Sequence, residues 1–282
     1  MLTPTELKAL LAAQGLRLSK RLGQHHLIDP RVIARIVEGC QLSPAETVVE
    51  IGAGLGALTE ELAQRAGRVI AVEVDRRICE LLRGRMRARP SVHVVCQDIL
   101  DFAWEPASPA VVVGAIPYSV TSPILVSLCE QRHAMRRAVL VIQREVAQRL
   151  LARPATKAYG RLSLLVQYGW QVNRLFDVPR SAFFPQPAVD SMCLALAPRP
   201  SPAVAVSDEE AFFGLVKAAF AHRRKSLVNC VCDPYGASRA EVAQILHSLG
   251  LPPSVRGEAL SLAHLASLFT ALEKRKKRVA LP

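Results

Sequence analysis

The chain has 282 residues, half of them hydrophobic and 5% aromatic, enough to bury a substantial core in one domain of ordinary size plus a smaller one. No apolar run approaches the ~20 residues of a membrane span, and no basic segment followed by an apolar core marks a leader, so a cytoplasmic protein with no membrane partner is expected. A net charge of +12, from 36 basic and 24 acidic residues, points to a polyanionic partner, against the alternative of a solvated basic surface with no target.

In chain order, Thr3-Pro4-Thr5-Glu6 resembles a capping box opening an amphipathic helix over Leu7 to Gln14. Lys20-Arg21 then precedes a glycine turn, and His25-His26 follows it. Adjacent side chains rarely converge on one ion and no acidic cluster surrounds these histidines, so no metal is expected there. From about residue 46 to 144, apolar runs at 47–51, 68–74, 92–96, 110–114 and 138–143 alternate with amphipathic helices. That alternation predicts a parallel sheet covered on both faces, with ligands bound beyond the carboxyl ends of its strands. Leu162 to Val172 and Met192 to Leu196 read as strands that finish the sheet. Pro198-Arg199-Pro200-Ser201-Pro202 breaks the pattern, and helices follow over 208–222, 238–248 and 261–272, with turns at Asp233-Pro234 and Leu251-Pro252-Pro253. The expected division is a sheet domain over 1–200 and a small helical domain over 201–282. Arg223-Arg224-Lys225 falls within an apolar helix pattern, and Lys274 to Arg278 forms a terminal basic run that reads as an electrostatic tail.

Chemistry concentrates at the ends of the predicted strands. Glu50-Ile51-Gly52-Ala53-Gly54-Leu55-Gly56 reads as strand, glycine turn and helix, with bare backbone against which a ligand can lie. Glu73, about twenty residues on, stands where a ribose-binding carboxylate is expected. The GxGxG spacing differs from the dinucleotide GxGxxG, and Glu50 beside the turn disfavours a phosphate while suiting a ligand with an amino group. S-adenosylmethionine fits; the competing reading is a glycine turn used only for close packing. Gly114-Ala115-Ile116-Pro117-Tyr118 follows the fourth strand and hangs over the same crevice. Pro117 there restricts the backbone, and the Tyr118 ring either stacks on an extruded base or packs for stability. Seven cysteines, an odd number scattered through apolar segments, read as reduced core residues rather than a disulfide framework.

These residues carry a family resemblance. Lys20 to Leu27, the glycine turn, Val72-Glu73-Val74-Asp75, Gln97-Asp98-Ile99-Leu100 and Ala115-Ile116-Pro117-Tyr118 are similar to the ordered motifs of ribosomal RNA adenine dimethyltransferases. The likeness continues through Gln143 to Ala147, Tyr159 to Ser163, Phe183 to Ser191 and Phe220 to Lys225, nearly the whole chain, and it favours the KsgA-type branch that acts on adjacent adenines of small-subunit ribosomal RNA. The resemblance implies a Rossmann-like α/β methyltransferase sheet with a helical C-terminal domain. It also implies S-adenosylmethionine as cofactor and dimethylation of adenine N6 during ribosome biogenesis. By position, Leu27, Gly52, Glu73 and Asp98 would hold the cofactor, with His25, Glu50, Gly54 and Ala115 beside it. Pro117, Tyr118 and Phe183 would hold the target base, with Ala115 and Ile116 completing the catalytic segment. Lys20, Arg21, Arg223, Arg224 and Lys225 would contact RNA in an immature small subunit, and a monomer is expected.

Two positions depart from the family pattern. Ala115 replaces an asparagine whose carbonyl accepts a hydrogen bond from N6, a loss that predicts turnover lowered by ~10²- to 10³-fold. His25-His26 replaces asparagine and phenylalanine, and His25 is able to take over a polar contact. Beside an active dimethyltransferase, the alternatives are a catalytically impaired ribosome-assembly factor and a methyltransferase for another RNA adenine.

Overall fold

The computed structural model describes residues 4–13, 15, 25–222 and 224–279. It opens with α1 (Pro4–Ala13), β1 (His26–Leu27) and α2 (Pro30–Gly39). Asp29 starts α2 by accepting from the Arg31 N–H at 2.9 Å, and Pro30 sits in the first turn, where no intrahelical N–H is needed. The apolar runs then become β2 (Thr47–Ile51), α3 (Ala57–Leu62), β3 (Arg68–Glu73), α4 (Arg76–Met86), β4 (Val92–Cys96), β5 (Ala110–Ala115), α5 (Thr121–Glu130) and β6 (Met135–Gln143). After α6 (Arg144–Leu150) and α7 (Arg161–Gly169) come β7 (Trp170–Val178), β8 (Phe183–Phe184) and β9 (Ser191–Pro198).

Seven strands form one sheet in the order β4-β3-β2-β5-β6-β9-β7. Pairings from β4 through β6 are parallel, whereas β6 meets β9 antiparallel, with Gln143 opposite Ser191. Strand order reverses between β2 and β5, the place where open α/β sheets leave a crevice at the carboxyl ends. The parallel strands are nearly continuous valine and isoleucine because both faces are covered; Val48, Val69, Val111 and Val139 pack with Ile33 and Ile36 of α2. A separate two-stranded ribbon joins β1 to β8, with His26 opposite Phe184 and Leu27 opposite Phe183.

The chain divides into two compact units, one comprising residues up to Ala147 with Gln171–Pro198, the other Gln148–Trp170 with the chain from Arg199 onward. The second adds α8 (Glu209–Ala219), α9 (Leu227–Tyr235), α10 (Arg239–Ser248) and α11 (Leu262–Val279) around its own core of Phe212, Leu227, Leu246 and Phe269.

Four sequence expectations are corrected. Leu162 to Gly169 is helix, not strand: the Ser163 hydroxyl accepts from the Gly160 N–H at 3.1 Å to start α7, and Leu164 and Tyr168 face the helical core. Asp233-Pro234 is not a turn but lies in the last turn of α9. Arg224 and Lys225 are exposed on a connection between α8 and α9 rather than within a helix, and the terminal basic run lies in α11, where Arg275 pairs with Glu241 at 2.8 Å. Lys20, Arg21 and Arg223 lie outside the described residues.

Candidate active site in the crevice of the sheet

Glu73 ends β3 and organises the crevice. Its Oε2 accepts from the Gly54 N–H at 2.9 Å, and its Oε1 accepts from the Val74 and Asp75 N–H groups at 3.0 Å each. One carboxylate thereby ties the glycine turn after β2 to the turn after β3. Burial pushes its pKa up against the pull of those three donors. The glycine turn itself runs through left-handed backbone, with φ of +68° at Gly52 and +56° at Gly54, conformations that side chains disfavour.

Around this carboxylate lies a cavity of about 890 Å³, counting the space open at its mouth. Gly52, Gly54, Glu73, Asp98, Ala115 and Pro117 all line it, so the sequence motifs converge as expected. Asp98 is exposed there, one oxygen accepting from the Leu100 N–H at 3.0 Å. Ile78, Ile99 and Ile124 supply apolar walls that the motif reading missed. Ile78 was traceable in principle: Asp75 caps α4 through the Arg77 N–H at 3.0 Å, which puts Ile78 in the first turn of the helix beside Glu73.

A second cavity of about 520 Å³ shares His25, His26, Gly52 and Ala115 with the first, and adds Leu27, Glu50, Leu55 and Arg85. Glu50 departs from expectation here. It is 1% exposed, accepts from the Thr59 hydroxyl at 2.5 Å, and desolvation pushes its pKa up to about 8. Near neutral pH it is mostly protonated, so it brings no full negative charge to the turn. Arg85 is engaged by Glu60 and by the Leu55 carbonyl.

The two histidines both line the two cavities but differ in their partners. The His25 Nδ1 donates to the Pro185 carbonyl at 2.6 Å, since a carbonyl only accepts, and the ring lies 5.7 Å from that of Tyr118. His26 is half-buried, and desolvation pushes its pKa down to about 4, so it is neutral at physiological pH.

Ile116 is buried, donating its N–H to the Val141 carbonyl at 3.0 Å. The Pro117 carbonyl accepts from the Thr121 hydroxyl at 3.1 Å and the Val120 N–H at 3.2 Å, which occupies both of its lone pairs. Tyr118 is half-buried, its hydroxyl 2.7 Å from that of Ser191, and burial raises its pKa. Phe183 is 4% exposed, pairs with Leu27 across the two-stranded ribbon, shares a core cluster with Phe176 and lines neither cavity.

The polar and apolar groups of the larger cavity fit a nucleoside. Glu73 Oε2 keeps acceptor capacity for a ribose hydroxyl, Asp98 for an adenine amino group, and the isoleucines for the flat faces of a purine. The antiparallel β9 beside β6, together with the glycine spacing, separates this sheet from the dinucleotide-binding order. These features define a Rossmann-like methyltransferase.

Comparison with known proteins narrows that class. A sequence profile described as ribosomal RNA adenine dimethylase matches residues 15–273. Proteins named ribosomal RNA small subunit methyltransferase A are similar throughout: that of Geobacillus thermodenitrificans is 41% identical, covering 96% of each chain, and that of Streptococcus pneumoniae serotype 2 is 43% identical, covering 94% of this chain and 96% of the other. Among solved structures, the 23S rRNA methyltransferase ErmE superposes with a TM-score of 0.68 at 31% identity, over 88% of this chain and 99% of that one. A dimethyladenosine transferase from Plasmodium falciparum shares the fold with a TM-score of 0.78 at 24% identity, over 89% and 98% of the two chains. The chain belongs to the ribosomal RNA adenine dimethylase family.

Proposed function

We propose that this protein dimethylates the exocyclic N6 of adjacent adenines in small-subunit ribosomal RNA, with S-adenosylmethionine as methyl donor. The observation that carries this reading is the cavity joining the Glu73-held glycine turn to the Ala115–Pro117 segment, which gives donor and base one meeting place. Family membership and the names of the relatives support it. The donor supplies a methyl group already activated on a sulfonium, so what this chain must add is alignment and electrostatics.

Glu73 and Asp98 hold the nucleoside, and the glycine turn lets its sugar approach the backbone. The target N6 is a poor nucleophile because its lone pair is delocalised into the ring, and acceptors for its hydrogens favour a tetrahedral nitrogen. With the Pro117 carbonyl occupied and Ala115 apolar, the Ile116 carbonyl is the acceptor this segment offers. Tyr118, held by Ser191, supplies a stacking ring, and Arg224 and Lys225 contact phosphates of an immature subunit to which the protein binds as a monomer.

Incubation with labelled donor and immature small ribosomal subunits tests this. Label in the RNA above a heat-killed control is expected, and its absence rejects the enzymatic reading. A second reading, a ribosome-assembly factor with impaired chemistry, is favoured by Ala115 on the cavity wall; it predicts subunit binding without label.

A further inference from the structure

Buried polar atoms in folded proteins are nearly always hydrogen-bonded, so an exception at a cavity points to a missing partner. Among the described residues, buried side-chain nitrogens without a partner occur on His26, Trp104, Arg144 and Trp170. Of these residues only His26 lines the two cavities of the crevice, and it lines both. Its ring lies over the bare backbone of the glycine turn: a Cβ added to Gly54 would come within 2.7 Å of His26 Nδ1 and 3.0 Å of Cε1. That edge of the ring rests on the turn, and Nε2, bonded to Cε1, is the ring nitrogen left without a partner.

The other polar side chains of the smaller cavity are His25, whose Nδ1 donates to the Pro185 carbonyl, Arg85 and Glu50. Arg85 is engaged by Glu60 and Leu55, Glu50 is engaged with Thr59, and the remaining side chains include Leu27, Leu55 and Leu58. The larger cavity carries the groups suited to a nucleoside, Glu73 and Asp98, and the two cavities meet at Gly52 and Ala115. An elongated molecule with its nucleoside by Glu73 and its reactive centre by Ala115 extends its other end into the smaller cavity.

We propose that His26 recognises the amino-acid end of the methyl donor, its Nε2–H donating a hydrogen bond to the donor's carboxylate. The assignment rests on the donor reading given above. The ligand thereby completes a polar group that the protein alone leaves unpaired, and discriminates full-length donor from adenosine fragments that lack the tail.

Calorimetry on the full chain tests this with two probes, S-adenosylhomocysteine and 5′-methylthioadenosine, which lacks the amino-acid end. His26→Phe keeps a planar ring and removes the nitrogen. It should weaken S-adenosylhomocysteine by ~10- to 100-fold, the range for a hydrogen bond to a charged group, leave methylthioadenosine unchanged, and leave the ligand-free Tm equal or higher. His26→Gln, whose amide nitrogen reaches near the Nε2 position, should hold S-adenosylhomocysteine within about fivefold of wild type. Decarboxylated S-adenosylmethionine, which keeps the amino group, should lose nothing in His26→Phe; a loss there equal to that of S-adenosylhomocysteine overturns the carboxylate assignment. Equal weakening of both main probes, or of neither, overturns the proposal by reducing His26 to a support of the turn. Wild-type protein that binds methylthioadenosine as tightly as S-adenosylhomocysteine defeats this inference alone, whereas wild type that binds neither removes the donor reading as well.

Discussion

The two ends of the crevice are built on opposite principles. At the nucleoside end, the Glu73 carboxylate takes three backbone N–H groups and pins two strand-end turns before any ligand arrives. At the other end, His26 Nε2 has no partner and burial keeps Glu50 mostly protonated near neutral pH, while Ala115 on the wall between the two offers no polar side-chain atom. The contrast teaches where binding energy comes from. A preorganised end gives its affinity without rearrangement, while an end left incomplete gains from the ligand and so discriminates between ligands.

Breaking the preorganised end should have the largest effect. Glu73→Ala strands the Gly54, Val74 and Asp75 N–H groups and removes the ribose acceptor, so affinity for S-adenosylhomocysteine should fall by ~100-fold or more by calorimetry. Retained affinity would mean that the turn is held by packing alone. Completing the opposite end sharpens the comparison. Ala115→Asn places an amide on the wall shared by both cavities and should raise methyl-transfer turnover by at least ~10-fold, read by single-turnover label incorporation. An unchanged rate locates the limiting step elsewhere.

Tyr118→Ala should weaken base capture by ~1 to 3 kcal/mol if the ring stacks on adenine. Tyr118→Phe, which loses only the bond to Ser191, should cost about 0.5 to 1.5 kcal/mol in the same RNA-affinity and rate measurements. Equal losses in the two variants would place the effect in the hydroxyl rather than the ring.

A separate effect concerns Glu50 and reads on stability rather than on binding or turnover. Its folded pKa, raised to about 8, exceeds its unfolded value of 4.5, so between those pH values the folded state holds a proton that the unfolded chain has released. The Glu50 contribution to stability therefore falls as pH rises through that window. Glu50→Gln removes the slope, and its Tm advantage over wild type should grow from pH 4.5 to 8 and then level off. A constant difference across the window would show that Glu50 ionises normally.

Much of the nucleoside end was legible in the chain, because glycine spacing and the distance from Gly52 to Glu73 are local signals that a strand–turn–helix unit makes unavoidable. The strands at 47–51 and 92–96 were legible for the same reason: valine-rich runs bounded by turn residues suit a sheet buried on both faces. Leu162 to Gly169 misled because an apolar run of that length reads alike as buried strand or buried helix.

By itself, then, the order of residues determined the alternation of strands and helices, the glycine turn, the carboxylate that answers it and the family to which they belong. Only the tertiary structure decided that Glu50 is neutral, that Phe183 is core, and that His26 faces a cavity with a nitrogen unpaired. Those properties depend on how much water and which neighbours each group keeps after packing, and desolvation is a property of the folded surroundings that no local pattern encodes.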